Sequence, residues 1–177
     1  MAQLPDLKPD CAACAALCCV VFAFDRSESF AIDKAAGEVC PNLDGCGRCR
    51  VFDDRDRLGF HGCISYDCHG AGQVVTQEVF TGRSWRDDAA LTERMGAALS
   101  VLRQVHEHLL LLETAGNLPL ETVERDRLSE LKTSLAPEVP WTETSLQDFP
   151  LESTIREVRA FLIGLRRHVA GHASVRS

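Results

Sequence analysis

The chain carries nine cysteines, and four of them fall in the nine-residue run CAACAALCC, Cys11 to Cys19. Thiolates are soft, charged ligands, so a cluster of this kind points first to zinc or iron–sulfur chemistry. On an α-helix turning about 100° per residue, Cys11, Cys14 and Cys18 fall within about 60° of one another. Three thiols then converge, an arrangement that incidental burial of cysteine does not account for. Cys19 projects about 100° away from Cys18 on such a helix, so it is expected to serve a second site, to pack as a small apolar residue, or to stay free. The intervening Ala and Leu residues favour helix, and Asp10 behind Pro9 is placed to cap it. The other cysteines are Cys40 before Pro41, Cys46 and Cys49 in GCGRC, and Cys63 and Cys68 in GCISYDC. Each has Gly or a turn former nearby, where backbone N–H groups can face a thiolate and favour its charged form.

Other side chains compete for a role at such a site. His61 and His69 flank Cys63 and Cys68 and are candidates, with Arg57 just before LGFHGC, for contacts to a cofactor or substrate at the metal. The plainer reading of the two histidines is as loop residues, and of Arg57 as one charge in the solvated stretch RVFDDRDR. His106 and Glu113 lie on one side of a strongly periodic segment, where they line a pocket above the thiols or, more plainly, hydrogen-bond within the core. GAGQ, Gly70 to Gln73, resembles a phosphate loop only superficially and runs into a β-like pattern, so nucleotide binding is not expected there. Arg166 and Arg167 suit the end of a helix dipole. Ser-His-Asp order, HExxH and paired catalytic carboxylates do not stand out.

The elements that must position these residues divide the chain. All nine cysteines lie between 11 and 68. Residues 1–86 read as a cysteine-rich, metal-binding region: a ligand helix, a long loop, a short strand near Val51 and Phe52, and a strand across QVVTQEVF. Metal ligation would supply the cohesion that so loop-rich a segment lacks. Residues 87–177 read as a helical region packed on it. Leu91, Met95, Leu99, Leu102, Val105, Leu109 and Leu112 step by three or four, with Asp87 or Asp88 as cap and Gly116-Asn117 as stop. A second helix is expected from Glu121 to Leu135, then a proline-rich loop, LAPEVPWTETSLQDFP. A third helix is expected to open with the capping box TIRE at Thr154 and to bury Leu151, Ile155, Val158, Leu162, Leu165 and Val169. GHASVRS reads as a disordered tail. The fold class is therefore mainly α: a loop-rich, Cys-ligated metal-binding unit followed by a small bundle of about three helices.

Composition sets outer bounds. Hydrophobic residues make up 45% and charged residues 25% of 177 residues, the balance of a globular protein with a core. Nineteen Lys and Arg against 26 Asp and Glu give a net charge of −7, which disfavours nucleic acid and anionic membrane as partners and leaves another protein or a small molecule. The apolar run from Cys11 to Phe24 follows MAQLPDLKPD, which lacks the positive n-region of a signal peptide, and fourteen residues are about six short of a helical span. The expected compartment is the reducing cytoplasm, where clustered thiols bind metal more often than they pair.

In this pattern the chain resembles the cysteine-cluster family described as zinc- or iron-chelating, whose signature is CxxCxxxCC, a downstream Asp, an isolated Cys and further Cys with Arg between. The matching residues are Cys11, Cys14, Cys18, Cys19, Asp33, Cys40, Cys49, Cys63 and Cys68. AIDKAAGEVCPNL, RVFDDRDRLGFHGCISYDC, GAGQVVTQEVF and SWR are further similar to the N-terminal segment of actinobacterial pentapeptide-repeat proteins, whose repeats are absent here. Such relatives often carry an aromatic residue after the last Cys, where this chain has His69, and Cys46 is an additional thiol. The resemblance implies a metal centre ligated by Cys11, Cys14, Cys18, Cys19, Cys40, Cys49, Cys63 and Cys68. A flagellin lysine methylase among related members gives a four-iron cluster as precedent, so the cofactor expected is an iron–sulfur cluster (4Fe-4S) or zinc. The function expected is that of a metal-centre protein with a structural or redox role. The alternatives are a metal-dependent tailoring enzyme acting on a small molecule or protein side chain, and metal storage or delivery.

Overall fold

Helix accounts for every regular element among residues 4–170, the part of the chain that the computed structural model describes. In chain order the helices are α1 (Cys18–Val21), α2 (His61–Ser65), α3 (Ala71–Val74) continued by a π-helical turn (Val75–Val79), α4 (Leu91–Ala115), α5 (Thr122–Leu135), α6 (Glu143–Gln147), α7 (Leu151–Gly164) and α8 (Arg166–Ala170). Extended pairing among the described residues is limited to the isolated bridges Phe24–Lys34 and Leu43–Cys49. No helix among them is long and apolar enough to cross a membrane. The fold is mainly α.

The apolar stripe of α4 makes it the spine of the molecule. All seven expected residues, Leu91 through Leu112, are buried, each worth roughly 1.5–3 kcal/mol of transfer free energy. Leu91, Met95, Leu99 and Leu102 pack with Ala15 and Leu17 of the cysteine loop and with Ala71, Val74 and Val75. Val105, Leu109 and Leu112 pack with Leu128, Leu131 and Leu135 of α5 and with Val158 of α7. Residues from both sides of position 86 thus meet in shared packing. At Gly96 a Cβ would lie 3.2 Å from Val21 Cγ1, so glycine lets α1 approach the spine. Helix α5 begins where expected, with a reciprocal capping box between Glu121 and Glu124.

Several local expectations are corrected. Cys11–Cys14 form turns and not a ligand helix, because Ala16 adopts φ 56°, a left-handed conformation that no α-helix can contain. Val51 and Phe52 lie in turns, and QVVTQEVF is helical. There Val74 and Val75 are buried while Gln73, Thr76 and Gln77 bond to other segments, a division that only a helical twist produces. GAGQ accordingly opens a helix instead of a strand. The proline-rich loop contains α6, started by the Thr142–Ser145 capping box and anchored by buried Leu146. Helix α7 begins three residues before Thr154, whose hydroxyl donates to the Pro150 carbonyl and caps nothing. Helix α4 starts at Leu91 without a side-chain cap; Asp88 Oδ1 instead accepts from the Ala90 N–H. GHASVRS and the side chain of Val169 lie outside the described residues.

Candidate metal centre

The Cys11–Cys14 loop is built by hydrogen bonds from outside itself. Asp10 Oδ1 accepts from the Ala12 and Ala13 N–H groups at 2.9 and 3.3 Å, so Asp10 caps a turn here. Gln73 accepts from the Asp10 N–H at 2.9 Å and donates to the Lys8 carbonyl. Gln77 Nε2 donates to the Ala13 carbonyl at 2.8 Å, and Thr76 Oγ1 accepts from the Ala15 N–H at 3.0 Å. Trp85 Nε1 donates to the Ala15 carbonyl at 2.8 Å. The α3–π segment therefore holds the backbone that presents Cys11 and Cys14. Gln73, Thr76, Gln77 and Trp85 were missed in the sequence; the first three carry the signal, being spaced by three and four as on one helix face.

All nine cysteines are free thiols. The Sγ atoms of Cys18 and Cys19 are 3.9 Å apart. That corrects the expectation that neighbours on a helix must diverge: α1 begins at Cys18, so the Cys18–Cys19 step is its first, and the two side chains fold toward each other. A tetrahedral site with about 2.3 Å zinc–sulfur bonds has sulfurs about 3.8 Å apart, so this pair has the spacing of two ligands of one ion. A Cβ built on Gly72 would fall 2.7 Å from Cys14 Sγ and 3.9 Å from Cys68 Sγ, so the missing side chain leaves the space in which those sulfurs sit. Among the described residues, no three His, Cys, Asp or Glu side chains already converge at ligating distance on one point.

Burial and neighbouring thiols raise several of the cysteines. Burial pushes the Cys14 thiol up to about 11, with Cys18 and Cys68 adding to it. Burial raises Cys11 as well, again with Cys18 and Cys68 contributing. The Cys63 thiol is pushed up to about 11, by burial first and then by Cys18, Cys40 and Cys49. Cys18 is raised most strongly, through its contact with Cys19 and its burial. Cys18 and Cys68 thus both act on Cys11 and Cys14, and Cys18, Cys40 and Cys49 act on Cys63. The Tyr66 hydroxyl is buried with no hydrogen-bond partner, and burial first, then Cys18, Cys68 and Cys14, raise its pKa.

These observations fit a thiolate-bound metal. A buried hydroxyl without a partner can donate to an anionic acceptor. Thiols held above their ordinary range become strong ligands only when a cation displaces their protons.

The remaining candidates are more scattered. Cys49 is carried by the turn in which Asp44 Oδ1 accepts from Cys46 and Arg48 N–H groups at 2.9 and 2.8 Å; Cys46 itself is exposed. Asp33 Oδ1 accepts from the Arg26 N–H at 2.6 Å, closing a loop. His61 pairs with Asp56 at 3.1 Å and is half exposed. Arg57 is 72% exposed and pairs with Asp54 at 3.0 Å. Arg55, two residues earlier, donates to the Cys63 carbonyl at 3.2 Å, and its charge favours the Cys11 and Cys63 thiolates. His69 has φ 50°, and its carbonyl accepts from His106 Nδ1 at 2.7 Å. His106 is 1% exposed, burial holds it below the ordinary imidazole range, and its Nε2 has no partner. Glu113 instead pairs with Lys132 of α5.

No protein-family model matches the chain, and no solved structure matches it. It is similar to the uncharacterized protein YybG of Bacillus subtilis (strain 168), with 36% identity over 129 residues. The match takes in 73% of this chain and 45% of YybG, so the chain spans less than half the length of that relative.

Proposed function

We propose that this chain is a metal-centre protein in which residues 1–86 hold an iron–sulfur cluster (4Fe-4S) or zinc through cysteine thiolates, and residues 87–177 form the helical region packed on it. The ligands proposed are Cys11, Cys14, Cys18, Cys19, Cys40, Cys49, Cys63 and Cys68. The observation that carries the reading is the Cys18–Cys19 sulfur pair at 3.9 Å, the spacing of two thiolates on one zinc ion. The Gly72 space at Cys14 and Cys68 and the partnerless Tyr66 hydroxyl support it.

The role is structural or redox. His61 and Arg57 are turned to carboxylates on an exposed loop, which favours this role over a metal-dependent tailoring enzyme. Nine unpaired thiols suit a reducing cytoplasm. With a net charge of −7, the partner proposed is another protein or a small molecule, not nucleic acid or membrane. Anaerobic purification followed by metal and acid-labile sulfide analysis tests the choice of cofactor. Broad visible absorption with labile sulfide identifies an iron–sulfur cluster, and a colourless protein with stoichiometric zinc identifies zinc.

A further inference from the structure

Lys34 is 3% exposed. Its Nζ donates to the Val20 carbonyl at 3.1 Å, the Ala35 carbonyl at 3.0 Å and the Glu38 carbonyl at 2.8 Å. Three carbonyl acceptors use all three N–H bonds of an ammonium, whereas a neutral amine offers only two, so the geometry is that of a charged lysine. Among the described residues no carboxylate lies within ion-pair distance of it. Glu38, whose charge acts on Lys34, has its carboxylate engaged with the Ala35 N–H at 3.1 Å. A buried cation that lacks a counter-ion is costly, and proteins keep one only where an anion is close.

Burial lowers the Lys34 pKa, and the groups that act against this are, in order, Cys40, the Glu38 carboxylate, Cys19 and Cys18. The backbone explains why. Cys40 N–H donates to the Cys19 carbonyl and Gly37 N–H to the Val20 carbonyl, each at 2.9 Å, which joins the segment that carries Cys18 and Cys19 to the one that carries Cys40. Lys34 bonds to both segments, through Val20 on one and through Ala35 and Glu38 on the other. Four thiolates around a divalent zinc ion, or around an oxidised four-iron cluster, leave a net double negative charge.

We propose that Lys34 is the built-in counter-cation of the thiolate centre: a positioning residue that joins two ligand-bearing segments and offsets the charge that metal binding creates there. The inference rests on the metal-centre reading and adds to it a residue that is not itself a ligand.

The test uses the full chain with zinc alone as the probe. Zinc affinity is measured by competition with a chromophoric chelator at one fixed neutral pH, for wild type, Lys34→Gln and Lys34→Arg. Gln keeps two N–H donors for the carbonyls and removes the charge; Arg keeps the charge. Lys34→Gln is expected to bind zinc on the order of tenfold more weakly or worse, the scale of one charge interaction. Its metal-free melting temperature should equal or exceed that of wild type, and Lys34→Arg should stay within a few-fold of wild type. In cobalt(II)-loaded protein, the thiolate-to-metal charge-transfer band should move to the red in Lys34→Gln, a change that a purely structural role would not produce. Equal zinc affinity in wild type and Lys34→Gln overturns the proposal while leaving the metal centre standing. An equal loss in Lys34→Arg also overturns it, including the case in which Lys34→Gln does not fold. Wild type that binds neither zinc nor iron overturns the metal-centre reading, and the role of Lys34 falls with it.

Discussion

Gly72→Ala separates the metal-bound from the metal-free protein with one methyl group. Gly72 lies inside α3 with an ordinary helical backbone, so alanine is conformationally welcome there and favours the helix by up to about 1 kcal/mol. Its Cβ, however, would lie 2.7 Å from Cys14 Sγ, against an ordinary contact of about 3.5–4.0 Å. The sulfur must retreat by about 1 Å. In metal-free protein this is cheap, because a thiol at the end of one rotatable bond can swing aside. In metal-bound protein the sulfur is fixed to within about 0.2 Å by its bond, so the substitution strips or distorts one ligand. If about 10–16 kcal/mol of binding is shared among four thiolates, losing one costs about 3 kcal/mol, or roughly 100-fold in affinity. Chelator-competition titration with zinc reads the affinity, and thermal melts with and without chelator read the two stabilities. Expected are weaker binding, a lower melting temperature with metal, and no loss without it. Wild-type affinity in Gly72→Ala, or equal destabilisation in both states, would refute the argument that Gly72 makes room for a ligand sulfur.

Three further outcomes follow from the same geometry. Cys18→Ala and Cys19→Ala should lose metal to a similar extent, since their sulfurs are 3.9 Å apart, while Cys46→Ala, outside the proposed ligand set, keeps it; elemental analysis of the three purified variants checks this. Tyr66→Phe should leave metal-free protein as stable as wild type or up to about 1 kcal/mol more so, because a buried donor without a partner is removed, and should lower stability with metal bound; paired chemical denaturation measures both. His106 titrates below its unfolded value of 6.5, so the unfolded chain binds the extra proton first. The stability His106 contributes is present above that value and is lost as pH falls through the folded one. The decline in melting temperature from about pH 7 to 5 should be shallower in His106→Gln than in wild type; equal slopes would show that burial of His106 does not govern it.

The helical half was legible because its signals are redundant. Seven apolar residues at helical spacing and a glycine stop agree for α4, an apolar pattern from Leu120 to Leu135 marks α5, and both form where indicated. Residues 11–19 were not legible because propensity and tertiary bonding disagree there. The Ala-rich run favours helix, but the Thr76, Gln77 and Trp85 side chains satisfy the backbone groups of Ala13 and Ala15 from outside, and Ala16 turns left-handed. The strand expected at QVVTQEVF followed the β-branched valines and overlooked Gln73, Thr76 and Gln77, whose spacing is helical. The identities of the thiols are plain in the sequence. Which of them face one another depends on loops whose course is set by single contacts, such as Asp44 with the Cys46 and Arg48 amides and Lys34 with three carbonyls. Arg55 rather than Arg57 bonds to the Cys63 backbone, a two-residue distinction that no periodicity encodes in a run of turns.

Native mass spectrometry of the full chain, purified without oxygen and sprayed from volatile buffer, tests the central claim most directly. The expected mass exceeds that of the 19.5 kDa polypeptide by bound zinc or by a four-iron, four-sulfide cluster, less the protons displaced from the ligating thiols. Under the same conditions, most of the cysteines other than Cys46 should resist alkylation until the metal is removed. A species at the bare polypeptide mass, with all nine thiols alkylated at once in the folded protein, would contradict it.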